Sequence, residues 1–136
     1  TGGFLADRLV SRFVGGRMIV QTIALTLGAP CVFLLGTLDA VEGVMAAMVG
    51  VGLCKGLYDA NIFASLYDVV PAAQRGLAAG MMNTIGWVGG LLAPLVIGIA
   101  SETRGLSLTL ATTAAVYLVA AFLVFLAATL AARWKG

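Results

Sequence analysis

Residues 43–67 read GVMAAMVGVGLCKGLYDANIFASLY, an apolar run long enough to cross a bilayer as one helix. Lys55 and Asp59 are set inside it. At a rise of about 1.5 Å per residue, Lys55 lies roughly 16 Å beyond Val44, near the middle of a hydrocarbon core about 30 Å thick. A charge at that depth costs at least about 2.5–3.5 kcal/mol, so such groups face a bundle interior or a cavity and mark a pathway. The i,i+4 spacing puts both on one helix face, within reach of each other. Cys54, Tyr58, Asn61 and Ser65 widen the polar side to an arc of roughly 160°, leaving Leu53, Leu57, Ala60 and Ala64 on the other side. The plainer reading is an ion pair that joins this helix to its neighbours. The functional reading, which we favour, is a site on a polar route.

Composition agrees with a membrane setting. Of 136 residues, 61% are hydrophobic and 10% are charged, and the mean hydropathy is +1.06; a soluble domain carries about 25% charge. A net charge of +2, scattered along the chain, gives no footprint for nucleic acid. There is no histidine, which removes the commonest metal ligand and the usual proton carrier near neutral pH. Cys31 and Cys54 both fall in apolar spans and read as small buried side chains, neither a disulfide framework nor a metal site. No cofactor is implied. The chain opens at Thr1 with no signal-peptide pattern, so we expect a piece of something longer.

Outward from the central span, residues 1–16 form a glycine-bearing basic loop. Spans follow at 17–38, 43–67, 76–100 and 106–132, with a short tail at 133–136. The expected fold is an all-α membrane protein of four helices. Pro30 should kink the first span, and Pro71 is placed to begin a helix. In the third span Gly76 and Gly80 form one GxxxG pair, and Gly86 and Gly90 another, continued by Pro94 and Gly98. Such rows let helix backbones approach closely, which predicts a helix packed on more than one side. A dinucleotide-binding reading of these glycines fails for want of GxGxxG and of a preceding strand. The last span carries Thr109, Thr112, Thr113 and Tyr117 in its first half, and an interfacial Arg133-Trp134-Lys135 at its end. Arg8, Arg12, Arg17, Arg75, Arg133 and Lys135 fall on one side of the membrane, against Arg104 on the other. This places the first loop, the central link and the C-terminus in the cytoplasm of a multi-pass inner- or plasma-membrane protein.

Two stretches carry a family likeness. Gly3-Phe-Leu-Ala-Asp7-Arg8 resembles the start of the loop signature G-x-L-a-D-R-x-G-R-[RK] of the major facilitator superfamily. It departs at Val10 and Ser11, and Arg12 recovers the final basic position. Pro71-x-x-x-Arg75-Gly76-x-x-x-Gly80 is similar to the pattern that leads into the fifth and eleventh helices of that superfamily. The order and separation of the two motifs imply that the chain holds helices nine to twelve, part of the C-terminal six-helix bundle of a twelve-helix transporter. The loop and the Gly15–Gln21 segment look Spinster-like, or like the organic anion symporters. Gly3, Asp7, Arg8 and Arg12 would then belong to a conformational latch whose partner lies in helices absent here. The 43–67 span would be helix ten, lining a central cavity near the midplane.

On that footing Lys55 pairs with Asp59 or meets an anionic substrate group, Tyr58 and Asn61 offer hydrogen bonds, and Asp59 is the candidate for protonation. The pair should titrate jointly, a proton on Asp59 freeing Lys55. The expected function is secondary active transport of a small organic solute, an organic anion or a lipid-like molecule, by alternating access with ion or proton coupling. The expected partners are that substrate, the lipid bilayer and the missing helices. The competing reading is a small four-helix structural or assembly subunit, with the glycine rows as its oligomer interface. An enzyme is disfavoured, because no nucleophile–base pair, metal cluster or phosphate loop can be picked out.

Overall fold

The computed structural model describes residues 15–134. Four long helices account for nearly all of it: α1 (Gly16–Thr37), α2 (Val41–Val69), α3 (Arg75–Arg104) and α4 (Leu106–Trp134), with a 3-10 turn at Ala72–Gln74 before α3. All four are long and apolar enough to cross a membrane. In hydrocarbon every backbone N–H and C=O must be paired within the chain, and uninterrupted helices do this at no cost in partners. The threonines follow the same rule. Thr22, Thr26 and Thr113 donate to the carbonyls of Met18, Thr22 and Thr109, each four residues back, at 2.8–2.9 Å. Helix α1 is continuous through Pro30.

The connections are tight. The Leu38 N–H closes α1 on the Leu34 carbonyl at 3.0 Å, and Ala40 leads into α2. The third link is shorter than the sequence suggests. Residues 101–104 are helical rather than part of a loop, and Gly105 alone makes the turn, at φ +80. Its N–H donates to the Ser101 carbonyl at 2.9 Å. Only glycine takes that backbone conformation without strain, so the polar Ser101–Arg104 turn stays in the helix and the chain reverses at a single residue.

Helix α1 is the hub. Gly16, Val20, Ala24, Gly28, Val32 and Gly36 recur every four residues along it, and all are buried. Against this ridge lies α4, running antiparallel, with Ala114, Ala121 and Ala128 buried at seven-residue intervals. The approach is closest at Gly36, where an added Cβ would run into the Ser107 carbonyl oxygen and come within 2.6 Å of the Ala111 backbone nitrogen. Gly28 is also tight: an added Cβ would lie 3.2 Å from the Tyr117 ring and 3.4 Å from Cys54 Cβ. Helix α2 flanks α1 on its other side, again antiparallel, with Gly50 against Cys31 and Ser65 against Gln21.

Among the described residues the glycine rows of α3 meet no neighbour. A Cβ added at Gly76, Gly80, Gly86 or Gly90 would meet nothing within 4 Å, and Pro94 is exposed too. Within this chain α3 rests along one edge of α4, touches α2 lightly, and buries none of its own residues. Within this chain the close small-residue packing is on α1. There, van der Waals contact between backbones takes the place of a hydrophobic force that lipid cannot supply.

Candidate functional site

Lys55 and Asp59 sit near the middle of α2, and the i,i+4 geometry brings them together. The Lys55 ammonium donates to Asp59 Oδ2 at 2.8 Å. The side chains keep 62% and 50% of their surface exposed, so no other described helix closes over them. They open onto a groove of about 430 Å³ between α2 and α3, whose far wall is formed by Asn83 and Trp87, with Phe63 on the α2 side. Asn83 and Trp87 are themselves i,i+4 neighbours on α3. Gly86, which the sequence reads as a packing residue, also borders this groove.

A second, more closed pocket of about 260 Å³ lies between α1, α2 and α4. Tyr58, Tyr117, Cys54 and Lys55 are among the residues that line it. Lys55 thus borders both an open groove and a pocket containing two phenols, and Asp59 borders the groove.

The polar arc expected on α2 therefore divides in two. Lys55 and Asp59 occupy its open half, and Tyr58 lies at the boundary. Asn61 belongs to the packed half: it is 1% exposed, and its Nδ2 donates to the Leu57 carbonyl at 2.8 Å. Ser65 is buried beside it, donating to the Ile62 carbonyl at 2.9 Å and lying 3.4 Å from Gln21 Oε1. These groups carry hydrogen bonds in the α1–α2 seam, where an unpaired polar atom is costly. Helical periodicity locates side chains on an arc, but not which half of the arc a neighbour covers.

At the end of α2 the motif arginine has a local task. Arg75 donates through Nη2 to the Tyr67 carbonyl at 2.9 Å and through Nε to the Val70 carbonyl at 3.3 Å. Its guanidinium lies 5.6 Å from the Tyr67 ring centroid. A cation on the last carbonyls of a helix satisfies acceptors the helix leaves open and meets the negative end of its dipole. Nearby, Arg17 on α1 pairs with Asp68 on α2 at 3.8 Å. The latch residues Gly3, Asp7, Arg8 and Arg12 lie outside the described residues.

Sequence reasoning did not single out Asn83, Trp87 or Phe63. The signal was available in Asn83-x-x-x-Trp87, a polar and an aromatic residue one turn apart in mid-span, but it is interleaved with the glycines that drew the reading toward packing. Among the described residues no group of His, Cys, Asp and Glu could hold a metal ion.

Comparison with known proteins adds the family. No curated protein and no solved structure matches the chain. The family model described as Major Facilitator Superfamily matches residues 1–135, which takes in both motif stretches, all four helices and the groove between α2 and α3. The chain therefore belongs to the major facilitator superfamily of membrane transporters.

Proposed function

We propose that this chain supplies helices nine to twelve of a secondary active transporter, and that the Lys55–Asp59 pair lies on its solute route. One observation carries the reading: an ion pair at 2.8 Å, in the middle of a 29-residue apolar helix, that no described neighbour covers. Left against lipid, each charge would cost about 2.5–3.5 kcal/mol or more. A water-filled cavity facing further helices removes that cost, and places the pair where carriers of this type bind their cargo, near the midplane.

In this reading the cargo is a small organic solute, moved by alternating access. Lys55 receives its anionic group, and Asp59 takes up a proton as Lys55 leaves it. Tyr58 stays in the site as a hydrogen-bonding phenol; Asn61 does not. The basic residues around α1's start, the α2–α3 link and the C-terminus place those segments in the cytoplasm.

The test is made on the intact carrier in proteoliposomes. Asp59→Asn keeps the shape of the side chain but cannot change charge, so gradient-driven uptake should be lost while solute exchange at equal pH continues. Driven uptake at the wild-type rate would remove Asp59 from the coupling step.

A further inference from the structure

The groove between α2 and α3 has a composition that selects among solutes. Its ionisable side chains are Lys55 and Asp59, a pair that sums to zero charge, and Asn83, Trp87 and Phe63 line it together with the apolar Ile62 and Met82 and with Gly86. The ammonium has three N–H groups, the Asn83 amide two and the Trp87 indole one, against the carboxylate oxygens of Asp59 and the Asn83 carbonyl oxygen, and one of these donors is held by Asp59. With Asp59 protonated, as in the proposed coupling step, the groove carries one positive charge, and its complement is an anion with acceptor oxygens.

The aromatic groups narrow the choice further. Trp87 stands twelve residues into α3, roughly 18 Å along its axis. That is far from the interfacial belt where membrane tryptophans gather. It is 73% exposed in this chain, so its indole is not there to pack against α2 or α4. Phe63, also exposed, borders the same groove from α2. A flat ring entering between them meets aromatic surface, at offset or edge-on geometries that aromatic pairs prefer. The volume of about 430 Å³ falls within the range of about 300–1,000 Å³ typical of small-molecule sites.

We propose that the α2–α3 groove selects an aromatic monocarboxylate, with Lys55 on its carboxylate, Asn83 donating to the same end, and Trp87 against the ring. This rests on the reading of the groove as the transport site and adds the class of solute. A monoanion gives the groove one net negative charge unless Asp59 is protonated, so this cargo also accounts for a carboxylate being placed beside the lysine. A dicarboxylate would bring a second charge with no cation to meet it, and an aliphatic acid would leave Trp87 idle.

The experiment uses the intact carrier, purified and reconstituted, with radiolabelled 1-naphthoate as the probe and unlabelled benzoate, cyclohexanecarboxylate, phthalate and benzylamine as competitors. The expected result is saturable naphthoate binding, with benzoate competing at least tenfold better than cyclohexanecarboxylate, and with phthalate and benzylamine ineffective. Trp87→Ala should weaken naphthoate at least tenfold, Trp87→Phe should restore most of that loss, and Lys55→Ala should abolish binding. Because Trp87 is exposed, its replacement removes little packing, and rescue by Phe separates stacking from misfolding.

Preference for benzylamine, or equal competition by cyclohexanecarboxylate, would overturn the class of solute while leaving the transport reading standing. Naphthoate binding undiminished in both Lys55→Ala and Trp87→Ala would overturn the groove as its site. If naphthoate does not bind but Asp59→Asn still abolishes driven uptake of another solute, the solute class fails alone. If both fail, the underlying reading fails with it.

Discussion

At the residue scale, the organising fact is the difference between Lys55 and Asn61, six positions apart on one helix. The first is open and paired with a carboxylate; the second is buried, with its amide on the Leu57 carbonyl. Their replacements should fail in different ways. Asn61→Ala removes a buried donor and leaves a small cavity, at a cost of about 1–3 kcal/mol in stability. In the intact carrier this should appear as a lower melting temperature in detergent with an unchanged apparent affinity for solute. A large rise in KM with an unchanged melting temperature would return Asn61 to the solute site. Lys55→Ala should show the opposite pattern, because the exposed ammonium carries no packing.

Elements differ in how tightly the chain holds them, and the glycines show it most plainly. Gly36→Ala drives a methyl group into the backbone of α4 at Ser107 and Ala111, which cannot yield as a side-chain tip would. Overpacking of this kind costs about 1–3 kcal/mol. Gly80→Ala meets open space, so within these four helices it should cost nothing and gain up to about 1 kcal/mol from helix propensity. Thermal unfolding of the two variants in detergent checks the contrast; equal losses would mean that α3 is packed as tightly as α1.

The α2–α3 corner makes a further prediction. Arg75→Ala removes two donors from the last carbonyls of α2. Because these groups are solvent-exposed, the loss should be modest, about 1 kcal/mol. It should show as faster amide exchange confined to the last turn of α2, with the helix centre unaffected.

The same elements show what could be read from residues alone. The four spans were legible because hydropathy and length decide whether a helix can cross a bilayer, and so was the Lys55–Asp59 contact, a matter of i,i+4 spacing. The hub was not. On α1 the small residues are interrupted by Val20 and Val32, so the ridge looks less regular than the glycines of α3. Which ridge meets a neighbour depends on how the helices are arranged, and the spacing of glycines along one helix is silent on that. For the same reason Asn83 and Trp87 became candidate site residues only once α3 was seen to border the same groove as α2.

For the whole molecule, the chain is a ridge-packed core of α1, α2 and α4 with a more loosely attached α3. A set of exposed groups, Lys55, Asp59, Asn83 and Trp87, lies on one side of it. In the proposed function this gives a firm scaffold and a mid-membrane groove open to solute and to further helices, and it depends on the exposed surface of the Lys55–Asp59 pair. The most direct measurement is thiol accessibility at position 55, using Lys55→Cys in a cysteine-free version of the intact carrier, probed with a membrane-impermeant reagent from each side in turn. The account predicts that the cysteine reacts from one compartment at a time, that the reactive side changes with the conformational state, and that bound solute protects it. A cysteine that never reacts from either side, under conditions where transport proceeds, would contradict it.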